Sequence, residues 1–106
     1  MPKSAMKEMD DNAVNAAAFL GGLANPHRLR ILCQLADGEK NVTQLIEQTG
    51  LAQTSMSQHL NKLKDEGIVS FRREHRTLYY FITNPMALEI MGVMYEHYCK
   101  KKGRTS

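Results

Sequence analysis

The chain has 106 residues, a formal net charge of +3 and a hydrophobic fraction of 42%. That is enough for one small globular domain with a modest core, and it excludes two domains or a chain disordered throughout. Trp is absent and Tyr and Phe supply only seven aromatic residues, so the core has to be aliphatic and methionine-rich. No run approaches the roughly 18 apolar residues of a membrane span. The start, MPKSAMKEMDD, lacks the apolar segment and cleavage site of a signal peptide. These features predict a cytoplasmic protein with no membrane partner, in a compartment that keeps thiols reduced.

In chain order, residues 1–10 read as a flexible tail, 11–101 as the domain and 102–106 as a second tail. The Ala-rich NAVNAAAFLGGL, within a helix expected from Asp11 to Leu23, has the small residues that suit close packing against another helix. NPHRLRILCQLADG opens with Asn25 as N-cap and Pro26 at the first helical position, and stops at Gly38. Leu29, Leu32, Cys33 and Ala36 share one face of that helix, which predicts a sheltered Cys33 on the apolar side. NVTQLIEQTG is a shorter helix between Asn41 and Gly50, and LAQTSMSQHLNKLKDEG follows it up to Gly67. IVSFRREHRTLYYFI alternates around a polar tip and is rich in β-branched and aromatic residues, as a β-hairpin would be. Asn84 and Pro85 begin a last helix with an apolar stripe of Leu88, Met91, Met94, Tyr95 and Tyr98. The order predicts a mainly α winged helix-turn-helix domain, with the hairpin as wing.

The second helix of the helix-turn-helix carries the chemistry. Met56, Leu60 and Leu63 recur at helical spacing and point inward together. The remaining positions carry Gln53, Thr54, Ser55, Ser57, Gln58 and Lys62, where a merely solvated helix would favour Glu and Lys. Hydroxyls contact bases or phosphates, and a glutamine can pair with adenine through two hydrogen bonds worth roughly 1–3 kcal/mol of discrimination. Lys62 is placed for a phosphate, and His59, at the core boundary, for packing or a phosphate hydrogen bond. The following hairpin tip holds Arg72, Arg73, His75 and Arg76, where a wing would follow a backbone or enter a minor groove. Helix and tip together predict a surface for double-stranded DNA. A module this small makes few base contacts, so two copies on a two-fold-related site are expected. The expected homodimer face combines Ala17 and Leu20 of the first helix with Leu88, Met91, Tyr95 and Tyr98 of the last, with Gly92 allowing close helix approach.

Two cysteines remain, Cys33 and Cys99. They are too far apart for a CxxC redox pair or a zinc knuckle. A buried cysteine often only fills space, so filler, metal ligand and chemical switch all stay open on the residues alone. A small thiol enzyme lacks a general base beside either thiol, so no enzyme activity is expected. His97, two residues from Cys99, falls on a different helix face.

LANPHRLRIL, LAQTSMSQHLNKLKDEGIV and RREHRTLYYFI resemble the ArsR/SmtB family of dimeric bacterial repressors across nearly the whole chain. The pattern SxSQHLxxLxxxGIV, from Ser55 to Val69, followed by R…YY carries most of that resemblance. It implies a winged-helix homodimer that binds an inverted repeat and leaves it when an inducer is sensed. One metal-sensing branch has cysteines where this chain has Asn41 and Thr43. Another builds a zinc site where this chain has Asn84, Met86, His97 and Lys100. The resemblance therefore implies no metal site and no cofactor, with a metal-responsive repressor as the alternative. A dithiol branch, the BigR/SqrR/HlyU-like regulators, carries cysteines at the places of Cys33 in RLRILC and Cys99 in YEHYC. By that resemblance the pair senses a small reactive sulfur species or oxidant through a disulfide or polysulfide bridge. The basic tail favours a thiolate at Cys99 and the dipole at the helix C-terminus opposes it, while Cys33, on the apolar face, suits the resolving role.

Overall fold

The computed structural model describes residues 2–100, with side chains described for 2–98. Helix α1 (Lys3–Leu23) leads into α2 (Pro26–Leu35), a two-residue strand β1 (Lys40–Asn41), α3 (Val42–Thr49) and α4 (Gln53–Asp65). The hairpin β2 (Val69–Glu74) and β3 (Thr77–Ile82) follows, then α5 (Pro85–Tyr95), which continues as a π-helical turn over Glu96–Lys100. Residues 102–106, read as a tail, lie outside the described residues.

The starts of α2, α3 and α5 are each set by an asparagine cap. The Asn25 side chain accepts the N–H groups of His27 and Arg28 at 2.9 and 3.1 Å, with Pro26 at the first helical position. These bonds satisfy donors that the first turn of any helix leaves unpaired. Asn41 and Gln44 form a reciprocal capping box on α3, both bonds 2.8 Å long. Asn84 caps α5 by accepting the Ala87 N–H at 3.0 Å. At the turn between α3 and α4, Gly50 takes φ 74°, a left-handed conformation that glycine adopts without steric cost. Helix α1 begins at Lys3, ahead of the expected Asp11, because KSAMKEMDD is itself rich in good helix formers.

Only the C-terminal end of α1 is buried, at Gly22 and Leu23. Arg28 Nε donates to the Gly22 carbonyl at 2.9 Å and so satisfies an orphan acceptor at the end of α1. Arg30 does the same for the Thr49 carbonyl at the end of α3. The core forms between α2, α3, α4, the sheet and α5. Ile31, Leu32, Leu35, Leu45, Met56, Leu60 and Leu63 are buried there with Ile68, Val69, Tyr80, Ala87 and Met91. Full burial of each large aliphatic side chain contributes about 1.5–3 kcal/mol.

The sheet order is β1-β3-β2, antiparallel throughout. Strand β1 pairs Lys40 with Tyr80 and Asn41 with Tyr79, tying the start of the helix-turn-helix to the wing. In the hairpin, Phe71 faces Tyr80 and Arg72 faces Tyr79. Alternation then puts Phe71 and Tyr80 on the core side, with ring centroids 5.4 Å apart, and Arg72 and Tyr79 on the outer side. Lys64 lies over the Phe71 ring at 5.5 Å and joins the end of α4 to the base of the wing.

Candidate nucleic-acid interface and thiol groove

Met56, Leu60 and Leu63 anchor α4 in the core, which turns the polar face of the helix to solvent. Gln53, Thr54, Ser57, Gln58, Asn61 and Lys62 are exposed there, and Ser55 is half-buried. Lys62 Nζ lies 3.6 Å from Glu66 Oε2, an exposed pair that a phosphate can displace at little cost. His59 is drawn back towards α2, its ring 5.7 Å from that of His27. Burial first, then the charge of Arg28 and the neighbouring His27, holds its pKa below the ordinary imidazole value. Half-buried between α2 and α4, His59 has the packing contact that its place at the core boundary led one to expect.

Arg72 is engaged within the chain. Its Nε and Nη2 donate to the Glu39 carboxylate over 2.6–3.0 Å, its Nη1 donates to Glu74 at 2.7 Å, and its guanidinium lies 4.6 Å from the Tyr79 ring centroid. A guanidinium so engaged is a strut between the wing and the loop before β1 while still exposed at the surface. His75 forms the tip with φ 57°. Arg73 and Arg76 are exposed, and among the described residues no ion pair engages either of them.

A groove of about 390 Å³ joins the two elements: Gln53 and Ser57 of α4 line it with Thr43 of α3 and with Arg76 and Thr77 of the wing. Helix α4 and the wing therefore meet along one groove with polar walls. Sequence reasoning missed Thr43 and Thr77, since a lone threonine in a capping turn or a strand carries no signal of which surface it joins.

Hydrogen bonds from Arg72 dominate at Glu39 and hold its carboxyl below the ordinary value of 4.5. A depressed folded pKa means that the strut is complete above the unfolded carboxylate value and is lost as pH falls through the lowered one. Carbon-detected NMR titration should find Glu39 titrating below its ordinary value, and Arg72→Ala should restore it. An unchanged Glu39 titration in Arg72→Ala would contradict the strut.

The apolar stripe expected on α5 divides in two. Met91 is 1% exposed, within the monomer core, and is thereby corrected as a dimer-face residue. Leu88, Tyr95 and Tyr98 are exposed, as are Ala17 and Leu20 on α1. Val14 at 82% on α1 and Val93 at 57% on α5 are further exposed apolar side chains.

Cys33 is exposed. The buried face of α2 is Ile31, Leu32 and Leu35, so the sheltered position read from the sequence is corrected. It lines a groove of about 490 Å³, with Gln34, Ala36 and Asp37 beside it and Met91, Gly92, Tyr95 and Glu96 from the last helix. Cys99 lies on the π-helical turn that continues that helix; its side chain lies outside the described residues. The positions weighed for metal have other duties: Asn41 and Asn84 are helix caps, and Met86 is exposed. Among the described residues no group of three or more His, Cys, Asp or Glu side chains converges.

The family model described as bacterial regulatory protein, arsR family, matches residues 25–70, from the cap of α2 into β2. The nodulation protein NolR of Rhizobium meliloti is 41% identical over 91 residues, covering 86% of this chain and 75% of that protein. The structure of reduced HlyU from Vibrio cholerae superposes with a TM-score of 0.84 at 34% identity, covering 89% of this chain and 99% of that one. That of the transcriptional repressor BigR from Xylella fastidiosa superposes with a TM-score of 0.81 at 32% identity, covering 91% and 95%. Both superposed structures share the winged helix-turn-helix architecture described above.

Proposed function

The chain belongs to the arsR family of bacterial regulatory proteins, and on that premise we propose that it is a homodimeric repressor whose DNA binding is switched by a Cys33–Cys99 dithiol. With both thiols reduced, α4 and the wing of each copy occupy one half of an inverted repeat. When sulfur bridges the pair, the operator is released. The observation that carries this reading is the exposed Cys33 on a groove that it shares with Met91, Gly92, Tyr95 and Glu96, residues of the last helix, which leads to Cys99. Likeness to BigR, a transcriptional repressor, and to HlyU, one of whose solved structures is of the reduced protein, supports it.

The chemistry balances without a cofactor. One thiolate attacks the outer sulfur of a persulfide RS–SH. A new cysteine–sulfur bond forms, the RS–S bond breaks, and RS⁻ leaves with the electron pair and takes up a proton. Attack by the second thiolate on the first cysteine's sulfur expels HS⁻ and leaves a disulfide. Where both cysteines are first persulfidated, the same displacement leaves a trisulfide. The longer bridge relaxes the separation of about 4.4–6.8 Å between Cα atoms that a disulfide demands. Either bridge ties α2 to the end of α5. Because α5 also carries exposed Leu88 and Tyr95 of the dimer face, a shift there changes the spacing of the two recognition helices.

The test is binding to a duplex selected from a random pool by the reduced protein. Persulfide treatment should weaken binding by about 5–150-fold, the range of a 1–3 kcal/mol coupling, and Cys33→Ser and Cys99→Ser should each bind equally well before and after. Equal affinity of the wild type in both states would overturn the switch. Loss of affinity on adding zinc to the reduced protein would replace it with a metal-responsive regulator.

A further inference from the structure

The backbone ties the wing to the helix-turn-helix through very little. Strand β1 has two residues, and it pairs only Lys40 with Tyr80 and Asn41 with Tyr79. A two-stranded hairpin is marginal by itself, so its direction depends on whatever else holds it. On the outer side of the sheet that tie is Arg72. It sits on β2, the edge strand opposite β1 in the order β1-β3-β2.

Arg72 reaches across the middle strand. Its guanidinium lies 4.6 Å from the centroid of the Tyr79 ring, on β3. Beyond it, Nε and Nη2 donate to the carboxylate of Glu39, the residue just before β1. Nη1 donates to Glu74 at 2.7 Å, so all three nitrogens are committed to carboxylates. Lysine cannot reproduce that planar fork. A lone exposed ion pair contributes little, but a bidentate pair inside a network does hold a geometry.

Charge decides what Arg72 can offer to DNA. Its side chain is 46% exposed, so access alone does not bar a phosphate. One guanidinium set between two carboxylates leaves the cluster net negative, however, and a phosphate there is repelled. Arg73 and Arg76 differ. Among the described residues no ion pair engages either, and Arg76 lines the groove shared with Gln53 and Ser57 of α4.

We propose that Arg72 is a positioning residue: with Glu39 it sets the angle of the wing against the helix-turn-helix, while Arg73 and Arg76 are the wing side chains that meet phosphates. The proposal rests on the DNA-binding reading above and deepens it by giving the wing arginines two roles. Glu39, an acid, then strengthens the binding of a polyanion.

The test titrates the reduced full chain against the duplex it selects from a random pool, at several salt concentrations. Arg73→Ala and Arg76→Ala should each lower the slope of log affinity against log salt by about 0.9 for each copy bound. Arg72→Ala should leave that slope unchanged. It should lower affinity by about threefold to fivefold for each copy, the upper end of what an exposed pair supplies. Arg72→Lys should weaken binding similarly, because an ammonium can meet a phosphate but cannot span Glu39 and Glu74. Glu39→Ala should also weaken binding, against the sign expected for removing a negative charge near DNA. The double variant should lose no more than Arg72→Ala alone. A reduced slope or an unchanged affinity in Arg72→Ala overturns the proposal, as does full affinity in Arg72→Lys or tighter binding by Glu39→Ala.

Residual dipolar couplings of the free protein test the wing without DNA. Amides of β2 and β3 should report the same altered orientation relative to α2 and α4 in Arg72→Ala and Glu39→Ala. Couplings within α2, α3 and α4 that still fit the wild-type structure show that the fold is intact. An unaltered wing orientation overturns the proposal. The two readings fail separately: a wild type that selects no duplex defeats DNA binding, and the couplings decide the strut.

Discussion

Truncating Leu60 to alanine is expected to lower the stability of the domain by about 2–5 kcal/mol. Leu60 is 1% exposed, between Met56 and Leu63 on the inward face of α4. The loss has two parts, the transfer energy of the removed methyl groups and the cavity left where the helix cannot collapse inward. A total stability of about 5–15 kcal/mol is ordinary for such a domain, so the loss is a large share of it. The same side chain holds the polar face of α4 outward, so operator affinity should fall even at temperatures where the variant stays folded. Urea unfolding followed by far-UV circular dichroism measures the first effect and operator titration the second. A stability change under about 1 kcal/mol would mean that α4 is not packed as described.

Met91 and Leu88 make a second large effect into a comparison. They stand three residues apart on one apolar stripe, yet Met91 is 1% exposed and Leu88 is 46% exposed. Met91→Ala should cost about 2–5 kcal/mol. Measured where the protein is monomeric, Leu88→Ala should stay within about 0.5 kcal/mol of wild type, as surface substitutions do. At higher concentration the order changes. If Leu88 faces a second copy, its truncation weakens the dimer and moves the concentration dependence of unfolding, since association stabilises by mass action. Sedimentation of both variants over a range of concentrations separates fold from assembly. A Leu88→Ala dimer as tight as wild type would remove Leu88 from the interface.

Whatever depends on near neighbours in the chain was legible before the structure. Asn25, Pro26, Asn41, Gly50, Asn84 and Pro85 mark helix ends through bonds and dihedral preferences that span a few residues. The inward set of Met56, Leu60 and Leu63 follows from helical periodicity, and the hairpin from the change of period at Ile68. The winged helix-turn-helix order, and with it the family, rested on these local signals. The pairing of β1 with β3 did not, because two residues are too few to show a period.

Only the tertiary structure decided which of several similar residues are available to a partner. Periodicity identifies an apolar face but not what covers it, so it placed Cys33 on the inward side of α2 and Met91 on the outer side of α5. Packing reversed both: α2 turns Ile31, Leu32 and Leu35 to the core and leaves Cys33 at the groove, while α5 spends Met91 on the monomer's own interior. Charge shows the same limit. Arg72 and Arg73 are adjacent in sequence, but strand alternation sends Arg72 to Glu39, thirty-three positions away, and leaves Arg73 exposed. Those outcomes depend on contacts between residues remote in the chain, which local pattern cannot encode.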